Sequence, residues 1–324
     1  MADAPTKPII VTILSGFLGS GKTTLLCHLL ASQDKDRVAV LENELGEIAI
    51  DDELLGGAEP GRLEVVQGRS CCEARVKFVD RLRAMSERPI DRLFIEATGV
   101  AHPGMLAHAL AAEEDLRARY RLDGIVTVVD AAHVEAHLGE DGHATEQIAY
   151  ADAILVNKTD LVPADAVAPL LERLREINAT ARYFTTKEAF VPADQVLNLG
   201  GFDLSRVERQ VTGCHSFHQS KHPTKHAHKI GTVALAIPGT LDVDRFQSWI
   251  NDFVSVRTET LYRAKGIVAI HGQSARLVFH GVHGQFRAAF DRPWGKEKPT
   301  SRLVFIGRDL DRAEIEEGLA ACRV

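Results

Sequence analysis

Gly16-Phe17-Leu18-Gly19-Ser20-Gly21-Lys22-Thr23 has the spacing Gly-x-x-x-x-Gly-Lys-[Ser/Thr], in which successive backbone N–H groups wrap the phosphates of a nucleotide. The glycines permit tight turns and close approach of the backbone to the ligand. The ammonium of Lys22 reaches the β- and γ-phosphates, and the Thr23 hydroxyl is placed to hold Mg²⁺. Context decides whether such a pattern is a site or a turn. The β-branched, apolar Ile9-Ile10-Val11-Thr12-Ile13-Leu14 precedes it and reads as a buried parallel strand. Thr24-Leu25-Leu26-Cys27-His28-Leu29-Leu30 follows with helical spacing. Strand, glycine loop and helix in that order predict an α/β nucleotide-binding domain, with Gly16, Gly19, Ser20, Gly21, Lys22, Thr23 and Thr24 around the phosphates.

Working outward, strands are expected at Arg37–Leu41, Leu63–Val66, Asp91–Ile95, Gly124–Asp130 and Ala153–Val156, and a helix over Ala74–Met85. Alternation of β and α implies a mostly parallel sheet flanked by helices. Ligands then lie outside the carboxyl ends of the strands. Gly16, Glu42, Glu96, Asp130 and Asn157 fall at those ends. Regular periodicity fades between Phe190 and Gly231, giving a phosphate-loop nucleotide-binding domain over 1–190, a histidine-rich linker over 191–230 and a smaller α+β domain over 231–324. In the last, strands are expected at Thr232–Ile237, Gly266–Ile270, Ala275–His280 and Arg302–Ile306, and helices at Asp242–Val256 and Leu310–Ala321.

The chain has 324 residues, 45% hydrophobic and 26% charged, with a net charge of −7. This composition suits a globular protein of two domains and argues against a dominant nucleic-acid surface. No apolar run spans a bilayer and the first eight residues lack a signal-peptide core. A cytoplasmic protein with no membrane partner is expected.

Four further stretches carry chemistry. Asn157-Lys158-Thr159-Asp160 follows an apolar strand. The carboxylate of Asp160 accepts from N1–H and the exocyclic amine of guanine, a donor pair that adenine lacks. Lys158 lies along the base, and Asn157 ties this turn to the phosphate loop. Ile95-Glu96-Ala97-Thr98-Gly99 delivers an acid beside the phosphate loop, where it holds Mg²⁺ or orients the attacking water, with the Gly99 N–H near the γ-phosphate. Lys22, Thr23 and Glu96 are therefore the catalytic candidates. Glu42-Asn43-Glu44-Leu45-Gly46-Glu47, with Asp51 and Asp52, occupies the position of a γ-phosphate-sensing switch. Carboxylates so near phosphates point to metal coordination. Gly68-Arg69-Ser70-Cys71-Cys72 brings two adjacent thiols, soft ligands for Zn²⁺, Co²⁺ or Cu⁺, with Glu42, Glu47 or a histidine to complete the set.

Five of the 14 histidines, His215, His218, His222, His226 and His228, crowd into one run beside Cys214. Their spacing fits no closed site, and a weak metal-collecting loop and a plain polar linker remain open. His102, His133, His271 and His280 read as ordinary surface or core histidines.

Together the phosphate loop, Glu-Asn-Glu-Leu-Gly-Glu, Ile-Glu-Ala-Thr-Gly and Asn-Lys-Thr-Asp resemble the CobW-type GTPases. Tyr262-Arg263-Ala264-Lys265-Gly266 and Asp291-Arg292-Pro293-Trp294-Gly295 resemble that family's C-terminal domain, closest to its YjiA branch. The resemblance implies a metal-responsive GTPase acting as a metallochaperone or metal-insertion factor. Thr23, Glu96 and Asp51 would hold Mg²⁺, and Asn157, Lys158 and Asp160 would read guanine. Zinc would be the first transition metal, with cobalt or nickel as alternatives. The family's Cys-x-Cys-Cys motif reads Arg69-Ser70-Cys71-Cys72 here. The first cysteine is replaced by a cation that would repel a metal ion, so the site is either weakened or rebuilt from Cys71, Cys72 and carboxylates such as Glu42 and Glu47. The family's His-x-His-Gly element is matched only in part, with Lys229 at the glycine.

The expectation is thus a Mg²⁺-dependent GTPase coupled to transition-metal binding, serving a client metalloprotein, in which a homo-oligomer is left open. The alternatives are a GTP-regulated assembly scaffold with no metal-transfer role, a small-molecule kinase and an RNA-associated GTPase.

Overall fold

The structure is a computed structural model that describes residues 7–33, 37–43, 63–67, 74–97, 99, 102–138, 142–199, 230–282 and 285–324. It divides into two compact units, one of Met1–Arg173 and Ala181–Gly201, the other of Leu174–Thr180 and Phe202–Val324.

In the first unit β1 (Ile9–Gly16) leads through the glycine loop into α1 (Lys22–Ala31). β2 (Val38–Asn43), β3 (Leu63–Gln67), α2 (Ala74–Ser86) and β4 (Arg92–Ala97) follow. Next come α3 (Pro103–Ala112), α4 (Glu114–Arg119), β5 (Tyr120–Asp130), α5 (Val134–His137), α6 (His143–Tyr150) and β6 (Ala153–Asn157). A 3₁₀ turn (Thr159–Leu161), α7 (Ala164–Ile177, whose residues from Leu174 on belong to the second unit), β7 (Arg182–Thr185) and α8 (Ala193–Val196) complete the series. The seven strands form one sheet, order β3-β2-β4-β1-β5-β6-β7, and every pairing is parallel. β1 is central and, Ile10 apart, buried: Ile9, Val11, Ile13 and Leu14 are 0% exposed. An unbroken apolar strand is what burial on both faces requires. Leu25, Leu26 and Leu29 of α1 pack with Leu14, Phe94 and Val128.

The strand ends expected from sequence hold to within a few residues. β5 begins at Tyr120, four residues ahead of the expected Gly124. β7 was not anticipated: it is four residues long, sits at the sheet edge and is only half-buried, so its alternation is too short to stand out.

The second unit has a five-stranded antiparallel sheet, order β11-β10-β9-β12-β8. Its strands are β8 (Ile230–Pro238), β9 (Leu261–Val268), β10 (Ala275–Val282), β11 (Gln285–Pro293) and β12 (Thr300–Arg308). Helices α9 (Val243–Ser255) and α10 (Arg312–Ala321) supply Phe246, Ile250, Phe253, Ile315 and Leu319 to a core shared with Leu235, Phe279, Leu303 and Phe305. Both helices start at an aspartate cap: Asp242 accepts from Asp244 and Arg245 N–H, Asp311 from Ala313 and Glu314 N–H. β11 was missed because its sequence ends in Asp291-Arg292-Pro293, and proline is confined to edge strands such as this one.

Candidate nucleotide and metal site

The carboxyl ends of β1, β4, β5 and β6 meet on one edge of the parallel sheet, and the residues singled out from sequence on those strands arrive there together. At the end of β1 the chain turns sharply. Gly21 has φ 110°, and a Cβ there would lie 2.6 Å from Asn157 Nδ2, so this position takes neither a side chain nor an ordinary backbone. The loop that results is closed by a Ser20 N–H bond to the Phe17 carbonyl and delivers the N-terminus of α1, whose N–H groups and dipole favour an anion. Lys22 is buried and its Nζ donates to the Phe17 carbonyl at 3.2 Å, which keeps the ammonium over the loop. Ser20 Oγ is fully buried with no hydrogen-bond partner among the described residues. A buried hydroxyl of this kind is a group that a ligand oxygen would satisfy.

Thr23 Oγ1 donates to Glu96 Oε1 at 2.8 Å. The strand register explains the meeting: Leu14 of β1 lies opposite Glu96 of β4, so the end of β4 reaches the start of α1. Glu96 itself is buried, 4% exposed. A hydroxyl and a carboxylate set side by side are hard oxygen donors, the kind Mg²⁺ takes. Gly99, three residues on, packs against the backbone of Leu18 in the phosphate loop, and its carbonyl accepts from Gln147 Nε2 of α6 at 3.0 Å.

On the other side of β1, Asn157 is 2% exposed and makes three bonds. Its Nδ2 donates to the Ser20 carbonyl at 2.9 Å. Its Oδ1 accepts from Ala189 N–H at 2.8 Å and Thr186 Oγ1 at 3.2 Å. Lys158 (φ 60°), Glu188 (φ 50°) and Ala189 (φ 53°) are non-glycine residues in the left-handed region, where a Cβ is strained. Three of them around one buried amide mark a turn held by its hydrogen bonds rather than by propensity. Lys158 Nζ pairs with Asp130 Oδ2 at 2.8 Å. Asp130 also takes His133 Nδ1 at 3.1 Å and Ala132 N–H at 2.9 Å. Burial pushes its carboxyl up, but the bonds from Lys158, His133 and Ala132 outweigh that and hold it below the usual carboxylate range. The Asp160 carboxylate stands exposed on the 3₁₀ turn and makes no hydrogen bond among the described residues. A cavity of about 350 Å³ opens between Phe17–Gly19 of the loop and the Asp130–Lys158 pair.

Asp130 was legible as a strand-end acid, but its role in holding Lys158 was not; the Thr186–Ala189 turn and Gln147 carry no sequence signal at all. On the metal side, β2 lies between β3 and β4, with Glu42 opposite both Glu96 and Gln67 in the register. Cys71 and Cys72 follow the end of β3 by a few residues. Glu47, Asp51, Asp52, Arg69, Cys71, Cys72 and the His215–His228 run lie outside the described residues.

Comparison with known families returns the CobW/HypB/UreG nucleotide-binding domain over residues 10–185 and the cobalamin synthesis protein cobW C-terminal domain over residues 230–323. The chain belongs to the CobW/HypB/UreG family. Among its members, the zinc chaperone YjiA of Escherichia coli (strain K12) is 36% identical over 323 residues, 98% of this chain and 99% of that one. A zinc-regulated GTPase metalloprotein activator 1 of Schizosaccharomyces pombe is 28% identical over 96% of this chain and 85% of its own. The crystal structure of Zn(II)-bound YjiA GTPase from E. coli superposes with a TM-score of 0.75 at 34% identity, covering 98% of this chain and 99% of that one. A Zn(II)-bound triple mutant of YjiA matches equally well, with a TM-score of 0.75. Its glutamate and two adjacent cysteines, replaced by alanine, have the spacing of Glu42, Cys71 and Cys72 here. The nucleotide-binding domain match covers most of the first unit, and the cobW C-terminal domain match falls within the second. No helix among the described residues is long and apolar enough to cross a membrane.

Proposed function

We propose that this chain is a Mg²⁺-dependent GTPase that couples hydrolysis of GTP to GDP and phosphate with the binding of a transition metal, zinc first, and hands that metal to a client metalloprotein. The observation that carries the nucleotide half is Asn157, whose single buried amide fastens the Asn157–Asp160 turn to the phosphate loop. A turn built to read guanine gains from that tie only if base and phosphates are held in one geometry. The names of the relatives, a zinc chaperone and a zinc-regulated GTPase activator, support the metal half.

The chemistry follows from the residues. Asp160 accepts from the two guanine donors, and Lys158, steadied by Asp130, lies along the base. Loop amides from Gly16, Gly19, Ser20, Gly21 and Thr24 cradle the phosphates. Water attacks the γ-phosphorus, the bond to the β–γ bridging oxygen breaks, and Lys22 and the N-terminus of α1 stabilise the charge that develops. Thr23 and Glu96 are the pair that would hold Mg²⁺, which would supply charge neutralisation at the phosphates. Asp51 is a third donor by family resemblance.

Zinc is the cargo in this reading. Cys71 and Cys72 with Glu42 and Glu47 form the set proposed to carry it. YjiA has the same spacing at the glutamate and cysteines that are replaced in its triple mutant, a structure that still holds Zn(II). Glu42 sits next to Glu96 in the sheet register, so a change at the γ-phosphate is one strand away from the metal segment. Metal and GTP affinities are then linked, each altering the other by the same factor.

Titration of the purified chain with Zn²⁺ and Co²⁺, in GDP and in non-hydrolysable GTP-analogue states, tests the reading. The expected result is a metal affinity that differs between nucleotide states, with thiolate-to-Co²⁺ absorption lost in Cys71→Ala and Cys72→Ala. Equal affinity in both states overturns the coupling and favours the scaffold alternative.

A further inference from the structure

A second cluster of metal-ligating side chains lies where α3 and α6 begin. His102 occupies the N-cap position of α3, and His143 and Glu146 lie in the first turn of α6 at i and i+3, on one face of the helix. One ligand atom from each of the three lies within 4.8 Å of the others. His102 Nδ1 and Glu146 Oε2 are 2.7 Å apart, and the His102 and His143 rings have centroids 5.0 Å apart. From His102 and His143 the sequence alone suggests nothing, since they are 41 positions apart on separate helices.

We propose that His102, His143 and Glu146 form a second divalent transition-metal site that takes zinc or a zinc-like ion. Three features carry it. The set is two imidazoles and one carboxylate, the combination that leaves Zn²⁺ a fourth, open position. His143 Nδ1 is buried and has no hydrogen-bond partner among the described residues, so a ring nitrogen is desolvated with nothing to satisfy it. The His102 side chain is 39% exposed and that of Glu146 12%, which gives an ion a way in while keeping its carboxylate ligand in low dielectric. Donors around a tetrahedral zinc with bonds of about 2.1 Å stand roughly 3.4 Å apart, so the three groups need only small side-chain rotations to close. The ion would replace the proton shared by His102 and Glu146. Two helix N-termini bring positive partial charge to the same place, and the Glu146 carboxylate offsets it. A three-ligand site with an open position exchanges its ion more readily than a closed one, which suits loading from and release to solution.

The inference stands apart from the nucleotide reading, because the site is counted without nucleotide. The test uses the full chain carrying Cys71→Ala and Cys72→Ala, titrated with Zn²⁺ against a chromophoric chelator and with Co²⁺ by absorption. One equivalent of Co²⁺ is expected with ligand-field bands and no thiolate band. Adding His102→Ala and His143→Ala should weaken that equivalent by at least about 100-fold, beyond the 10–100-fold that outer-shell changes cost. Glu146→Gln keeps the shape but removes the anionic ligand, and the same loss is expected in a protein whose melting temperature confirms that it folds. An isotherm that Glu146→Gln and the histidine substitutions leave unchanged overturns the site. So does the absence of that equivalent in the cysteine variant.

Discussion

Asn157 Nδ2 donates to the Ser20 carbonyl at 2.9 Å, a bond between residues 137 positions apart that joins the end of β6 to the phosphate loop. The same amide accepts from Ala189 and Thr186, so one side chain holds both the loop that contacts phosphates and the turns that would surround a base. Asn157→Ala leaves a buried carbonyl and a buried N–H without their partner. Each such orphan costs about 1–3 kcal/mol, so a loss of roughly 3 kcal/mol in urea unfolding is expected. GDP affinity should fall by about 100-fold, since loop and turn no longer share a geometry. Full GDP affinity in a destabilised variant would show that the tie serves folding alone.

The same stretch shows how far residues could be read in advance. The phosphate loop, the acid at the end of β4 and the Asn-Lys-x-Asp turn are local patterns, each next to an apolar strand, and strand order places them on one edge. What links them is not local. Asp130 reaches Lys158 across two adjacent strands, Gln147 reaches Gly99 from a different helix, and Ala189 meets Asn157 through a turn with positive φ that no sequence rule demands. His102 was read as ordinary because its partners are 41 and 44 positions away. Residue type and spacing reveal groups that act within one element. Only packing reveals groups that meet from different ones.

Asp160 is exposed on the 3₁₀ turn with no hydrogen bond among the described residues, which leaves its carboxylate available to a base. Guanine presents N1–H and an exocyclic amine; xanthine presents N1–H and a carbonyl. Asp160→Asn trades one acceptor for a donor. GTP affinity is expected to fall by at least about 100-fold, two charge-assisted hydrogen bonds being worth about 1.5–3 kcal/mol each, while XTP affinity rises. Competition binding with both nucleotides checks it. Parallel loss of GTP and XTP would mean that Asp160 acts on the turn rather than on the base.

Asp130 carries a pH prediction. Its folded pKa lies below the ordinary carboxylate value, so the folded state binds its proton more weakly than the unfolded state does. The contribution to stability is present above the unfolded pKa of about 3.9 and is lost as pH falls through the lowered folded value. Asp130→Asn should therefore lower the urea midpoint at pH 7 and flatten its decline below about pH 4. Near-neutral stability equal to the parent, with the same acid limb, would show that the Lys158 and His133 bonds contribute nothing net.

Gly99 allows the sharpest mechanical test of how the end of β4 governs the phosphate loop. A Cβ at this position would lie 2.7 Å from Leu18 N and 3.1 Å from both Leu18 Cα and Leu18 Cβ. The closest of these is backbone, so Gly99→Ala must displace the loop itself by several tenths of an ångström or move the segment that Gln147 holds. A 1 Å error in placement costs about 100-fold in rate, and a shift of a few tenths should cost about tenfold in GTP turnover. The fold, which rests on the buried sheet, should melt within a few degrees of the parent. The double variant Gly99→Ala with Leu18→Ala asks whether the outer part of the Leu18 side chain contributes to the obstruction. Trimming the exposed Leu18 side chain to alanine leaves the contacts to Leu18 N, Cα and Cβ in place, so turnover should not recover. Recovery would place the obstruction in a side chain that can move aside, and the phosphate loop would then be free of Gly99.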